Sequence, residues 1–176
     1  MDSSASNSYY DFQKELQSVA EFAKFYVIGP HNVQIGIVTF SSTARNEFYL
    51  NSFTNIKDIE QAINKITPMM TSTHTGRALQ YVRLNSFNAS KGDRGNIPNF
   101  LVVITDGRSK GVYNVTTESI DLHNSNMEIF AVGIGSDISI TELKAIASSA
   151  SHVFTVKDFH HLHLALHNIR CGEYKD

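Results

Sequence analysis

Three short segments place oxygen-bearing side chains where they could hold a hard metal ion. The chain opens Asp2-x-Ser4-x-Ser6, a carboxylate and two hydroxyls on alternate residues. "STHTG" follows much later, with Thr73 and Thr75 ahead of a helical pattern. "ITDG" is the third segment, with Asp106 just past an apolar run. In an extended segment every second side chain points the same way, so Ser4 and Ser6 can face one point. Oxygen ligands with only two carboxylates among them suit Mg²⁺, with Mn²⁺ or Ca²⁺ as alternatives. Several neutral hydroxyls and few charges leave such an ion electrophilic, able to exchange a water for a carboxylate from outside. Taken singly, each segment has a plainer explanation: a frayed start or helix cap, a Thr cap, an Asp-Gly turn. Their joint occurrence is what carries the reading.

The surrounding pattern supplies elements that could position them. Phe12, Leu16, Val19, Ala20, Ala23 and Tyr26 recur at helical spacing, predicting a helix over about 9–26. "VQIGIVTF" at 33–40 reads as a strand buried on both faces, and "ARNEFYL" at 44–50 as its edge neighbour. Ile56, Ile59, Ile63 and Ile66 mark a second helix stopped by Pro68, and 76–84 a third. "FLVVI" at 100–104 is the most apolar strand, ending at Thr105-Asp106-Gly107. A helix over 116–123, a strand at 128–135 and a helix from "SITELKAIAS" come next. In that last helix Ser139 and Glu142 have the spacing of a capping box. "HVFTV" closes the strands, and Phe159, Leu162, Leu166 and Ile169 mark a last helix. Apolar strands alternating with helices predict a doubly wound α/β fold: a mostly parallel central sheet, helices on both faces and one antiparallel edge strand. Sites in such sheets lie at the carboxyl ends of strands, where Asp106, Ser41 and Ser42 stand.

Bulk properties narrow the function. A chain of 176 residues, 41% hydrophobic and 18% charged, is one globular domain over 1–176. A net charge of -2 builds in no attraction to nucleic acid or anionic membrane. No apolar run reaches the roughly 20 residues that span a bilayer. Asn88-Ala89-Ser90 and Asn114-Val115-Thr116 match the N-glycosylation pattern, which matters only in a secreted protein. Cys171 is the only cysteine, so no internal disulfide can form. His160, His161, His163 and His167 suggest zinc by spacing, but a solvated helix face with some packed histidines is the better reading. Met69-Met70 reads as packing. Neither a phosphate-cradling loop nor a nucleophile elbow is present, which disfavours the rival reading of a Mg²⁺-dependent phosphate-handling enzyme. Arg108 and Lys110 beside Asp106 read as surface charge.

In this order, D-x-S-x-S, then T-x-T-G before a helix, then an apolar strand ending T-D-G, the chain resembles the von Willebrand factor A domain, or integrin I domain, from Asp2 to about Cys171. "VQIGIVTFSS", "TGRALQYV", "FLVVITDG" and "EIFAVGIG" look like its landmark segments, and "RNEFYLNSF" looks most like the collagen VI and matrilin branch. The resemblance implies a metal-ion-dependent adhesion site. Ser4, Ser6 and Thr73 would bind the metal, and Asp2 and Asp106 would act largely through water. Thr75 falls outside that ligand set and is expected to cap its helix. The resemblance further implies a non-enzymatic, secreted extracellular-matrix module that captures a Glu or Asp of a collagen or another matrix chain, with loops around Ser6, Thr73, His74, Asp106 and Arg108 choosing the ligand. A structural assembly domain with an incidental metal site is the alternative. Two departures stand out: Thr71-Ser72 replaces the family's frequent Gly-Gly, and the family's first central strand has no counterpart before Asp2. The expectation is therefore a domain truncated at its N-terminus, with Cys171 paired in the parent protein to a segment outside this sequence.

Overall fold

The structure, a computed structural model, describes residues 1–5, 8–111, 113–125, 127–135, 138–155 and 159–172, and in the last helix the side chains of 161–167. Six helices and five strands are assigned there: α1 (Tyr9–Ala23), β1 (Ile37–Phe40), β2 (Ala44–Phe48), α2 (Ile56–Ile63), α3 (Thr75–Asn85), β3 (Asn99–Thr105), α4 (Val115–Asn124), β4 (Met127–Gly133), α5 (Ile140–Ile146), β5 (Val153–Thr155) and α6 (Phe159–Gly172). Helix starts follow their local chemistry. Ser8, Asn55 and Asn114 each accept a hydrogen bond from the backbone N–H three residues on, capping α1, α2 and α4. Of the predicted stripe of α1, Phe12, Leu16, Ala20 and Ala23 are buried and Val19 is half-buried, while the helix ends at Ala23, before the half-buried Tyr26.

β3, β4 and β5 form a parallel sheet, with Asn99 opposite Met127 and Ala131 opposite Val153. β1 and β2 form a separate antiparallel pair. Between them, among the described residues, only the chain start makes a bridge. Asp2 N–H donates to Ile104 O on one side, and Ser3 N–H donates to Phe40 O on the other, both at 2.8 Å. The Met1 ammonium donates to Val38 O at 2.9 Å, and Phe40 N–H to Met1 O at 2.9 Å. Between the two sheets lies a gap, a cavity of about 1000 Å³ lined by Ile35, Val38, Phe100, Val102 and Ile104 among others. The same gap explains why the strand expected over 33–40 is regular only from Ile37. With no neighbour inside the gap, its first residues have no second ladder to join.

Helices cover both faces. α1 and α6 pack Val19, Phe22, Leu162 and Leu166 against Ile104, Phe130 and Val132. α3, α4 and α5 pack Leu79, Leu122, Leu143 and Ile146 against the opposite face through Val103, Ile129 and Ala131. A third cluster joins α1 and α2 to β1 and β2 through Phe12, Ile59, Ile63, Ile37 and Phe48. β4 is buried along almost its whole length, as a strand covered on both faces must be. No helix among the described residues is long and apolar enough to cross a membrane.

The divided sheet sets an expectation for local stability. β4 is paired on both sides at its C-terminal end, whereas β1 has β2 on one side and only the Met1–Ser3 bridge on the other. Native-state amide exchange should show β1 opening about tenfold or more faster than β4. Equal protection in the two strands would show that the two sheets open as one unit.

Candidate metal centre

The site forms where four segments meet. Met1–Ser3, held between β1 and β3, delivers Asp2 and Ser4, fully buried at 0% and 1% exposure. The loop ahead of α3 braces this segment: Met70 N–H donates to Ser3 O, and Ala5 N–H to Thr71 O, each at 2.8 Å. Met70 takes a left-handed backbone with φ 56°, a strained geometry for a side chain of its size, and its side chain is exposed. So Met70 braces through its backbone and does not fill the core, contrary to the packing expected of it. Thr71 also bonds Ser41 and Ser42 through its hydroxyl. It is this side-chain anchor that a Gly-Gly at this position would lack.

Thr73 Oγ1 donates to Ser4 Oγ at 2.9 Å, bringing two of the expected ligand hydroxyls into contact across 69 residues of sequence. Asp2 lies against them. Its Oδ1 accepts from Ser4 N–H at 2.9 Å, and its Oδ2 accepts from the Thr105 hydroxyl at 2.8 Å. Asp106, at the end of β3, accepts from Arg108 N–H through Oδ1 at 3.0 Å. Gly107 then turns the chain with φ +72°, where an added Cβ would lie 2.9 Å from Ser139 O. Both its conformation and its close approach call for glycine. Asp2, Ser4, Thr73 and Asp106 are therefore gathered at one place, while Ser6 lies outside the described residues.

Electrostatics favour a cation here. Burial pushes the Asp2 carboxyl above its usual range, hydrogen bonds from Ser4 and Thr105 oppose this, and the charge of Asp106 adds to it. A buried carboxylate facing a second one is costly without a compensating positive charge. Among the described residues no three His, Cys, Asp or Glu side chains cluster as a metal site. The donors gathered here are hydroxyls and two carboxylates, a set that fits a hard divalent ion.

Other expected residues are placed as follows. His74 precedes α3 without a side-chain cap, and its ring packs on Gly111. Arg108 and Lys110 are exposed. Thr75, expected to cap its helix, does not: it is the first helical residue, and its N–H donates to Ser109 Oγ at 3.1 Å. Asn114 is exposed and caps α4. Asn88 is half-buried and accepts from the Ser90 hydroxyl at 2.6 Å. His163 stacks on Phe25 at 4.4 Å, a packed role. The Cys171 side chain lies outside the described residues. Thr105, Ser109 and Glu15 escaped the sequence reading. Glu15 carried a signal: an acid on the apolar stripe of α1 between Phe12 and Val19.

The chain belongs to the von Willebrand factor type A domain family. That family's model matches residues 1–168. Matrilin-2 of Mus musculus is 33% identical over 164 residues, 90% of this chain and 17% of its own length. The collagen alpha-6(VI) chain of Homo sapiens is 36% identical over 160 residues, 90% of this chain and 7% of its own. The chain thus spans less than a fifth of these relatives. Proximal thread matrix protein 1 from the mussel byssus, with a zinc-occupied MIDAS motif, superposes with a TM-score of 0.82 at 27% identity, covering 97% of this chain and 46% of that one. MIDAS is the metal-ion-dependent adhesion site, so a divalent metal occupies that site in a protein similar to this one.

Glu15 gives this A domain a pH signature. Burial, with the charges of Asp2, Asp11 and Asp106, raises its carboxyl from 4.5 to about 8, while the Met1 ammonium opposes the shift. A raised folded pKa means that the folded state holds a proton the unfolded state has lost, so this contribution to stability falls as pH rises from 4.5 to about 8. In metal-free buffer Glu15→Gln should therefore gain on wild type across that window, at up to about 1.4 kcal/mol per pH unit. Denaturant melts at intervals between pH 4 and 9 measure this. A constant difference would show that Glu15 does not titrate there.

Proposed function

We propose that this A domain is a non-enzymatic binding module of the extracellular matrix that captures a protein ligand through a divalent cation, Mg²⁺ in the first instance. The observation that carries the reading is the convergence of Ser4 Oγ and Thr73 Oγ1 at 2.9 Å beside the buried Asp2. Ser4, Ser6 and Thr73 would hold the ion with their hydroxyls, and Asp2 and Asp106 would hold its remaining waters. Bound there, the ion supplies an electrophilic point to which a partner's Glu or Asp can bind.

The chain's own residues do the rest. Asp2 orients Ser4 through its N–H, and Thr105 orients Asp2. Lys110 N–H holds Thr73 O at 2.6 Å, which fixes the loop that carries the third hydroxyl. His74 and the exposed Arg108 stand on the loops around the ion, where a ligand's flanking residues would meet them. The matrix partner, a collagen or another matrix chain, is inferred from the matrilin and collagen VI relatives.

Two measurements test this. Mg²⁺ at a hundred times its Kd should raise the unfolding free energy by about 2.7 kcal/mol, an effect removed by EDTA. Capture of a collagen or matrix ligand from a defined panel should weaken about tenfold or more with EDTA or Asp106→Ala. Ligand capture indifferent to both would sink the adhesion reading.

A further inference from the structure

The first turn of α5 makes contacts beyond those of its capping pattern. In a reciprocal capping box the acid at the third helical position would return to the N-cap N–H. Only half of that box forms here. Ser139 Oγ accepts from Glu142 N–H at 3.4 Å. Ser139 N–H instead donates to Asp106 O at 2.9 Å, and the Glu142 carboxylate accepts from Ser109 N–H through both oxygens, at 3.2 and 3.0 Å. Ser109 in turn serves α3. Its hydroxyl accepts Thr75 N–H at 3.1 Å, doing what His74, the N-cap residue, does not do with its own side chain.

The segment from Asp106 to Lys110 is consequently tied at every step. Asp106 O and Ser109 N–H are held by α5, Ser109 Oγ holds the start of α3, and Lys110 N–H holds Thr73 O. Gly107 is pressed against Ser139 within this strap. The strap therefore sets the separation of Asp106 and Thr73, which come from different layers of the fold. A bond to a carboxylate is stronger than one to a neutral acceptor, which suits a single N–H that must hold a turn.

We propose that Glu142 is a positioning residue of the metal centre, acting through Ser109 to hold Asp106 and Thr73 in coordinating geometry. It touches neither cation nor ligand. The proposal rests on the metal reading above, and its test separates the two. Mg²⁺ is titrated calorimetrically into wild type, Glu142→Ala, Glu142→Gln and Ser109→Ala, and amide exchange at Ser109 and Thr75 is followed in EDTA. Glu142→Ala should weaken Mg²⁺ binding about tenfold or more, while Glu142→Gln, which keeps an acceptor for Ser109 N–H, should stay within about threefold of wild type. In EDTA the Ser109 and Thr75 amides should exchange faster in Glu142→Ala. Unchanged Mg²⁺ affinity in Glu142→Ala, or a glutamine variant as weak as alanine, overturns the proposal. If Glu142→Ala does not fold, Ser109→Ala decides: it should weaken Mg²⁺ binding, and unchanged affinity overturns the strap. If wild type binds no Mg²⁺, the metal reading falls, and unchanged amide protection in Glu142→Ala then overturns the strap by itself.

Discussion

Everything at the site depends on how three residues are seated. Met1, Asp2 and Ser3 occupy the place of a strand between β1 and β3, and their backbone bonds reach both. Asp2 and Ser4 are buried because this seat is at the centre of the molecule. A tail at the surface would leave the same residues solvated, with their hydroxyls free to rotate. The seat carries its own electrostatic strain: burial lowers the Met1 ammonium from 8.0 to about 6, although the nearby carboxylates of Asp2, Glu15 and Glu47 raise it.

The rest of the fold converts that seat into a three-sided enclosure. β3 ends at Thr105 and Asp106, and Thr105 spends its hydroxyl on Asp2. The loop ahead of α3 contributes Thr73 and is held by Thr71 and by the strained Met70 backbone. α5 closes the side with Ser139 and Glu142. None of these groups is strongly basic, so the enclosure keeps an excess of negative charge and hydroxyl dipoles. That is the complement of a small divalent cation and not of an anionic ligand.

Helices and strands were legible because their apolar residues recur at 3.6 or run without interruption, as in α1 and β4. The oxygen-bearing residues that the structure brings together, Asp2, Ser4, Thr73 and Asp106, were legible as candidates because alternate residues share a side in an extended segment and because β3 is apolar up to Asp106. Capping was legible only in part. Ser139 caps as its spacing predicts, yet the Glu142 side chain turns to Ser109, 33 residues away in sequence. Thr75 likewise yields its expected role to a serine from another loop. Local spacing lists the partners within reach along the chain, and tertiary neighbours compete for the same donors.

Residue types and order were enough to name the chemistry: hard oxygen donors at strand ends of a parallel α/β domain. They also led to the expectation of a mostly parallel sheet with one antiparallel edge strand, which in the structure is divided by a gap between β1 and β3. Only the folded arrangement decided how the molecule closes around that gap, with two sheets joined through Met1–Ser3 and a cavity beside them. It alone revealed the buried Glu15 and the strap through Ser109. The reason is that hydrogen-bond satisfaction and charge burial are properties of three-dimensional neighbours, which hydrophobic periodicity along the chain does not encode.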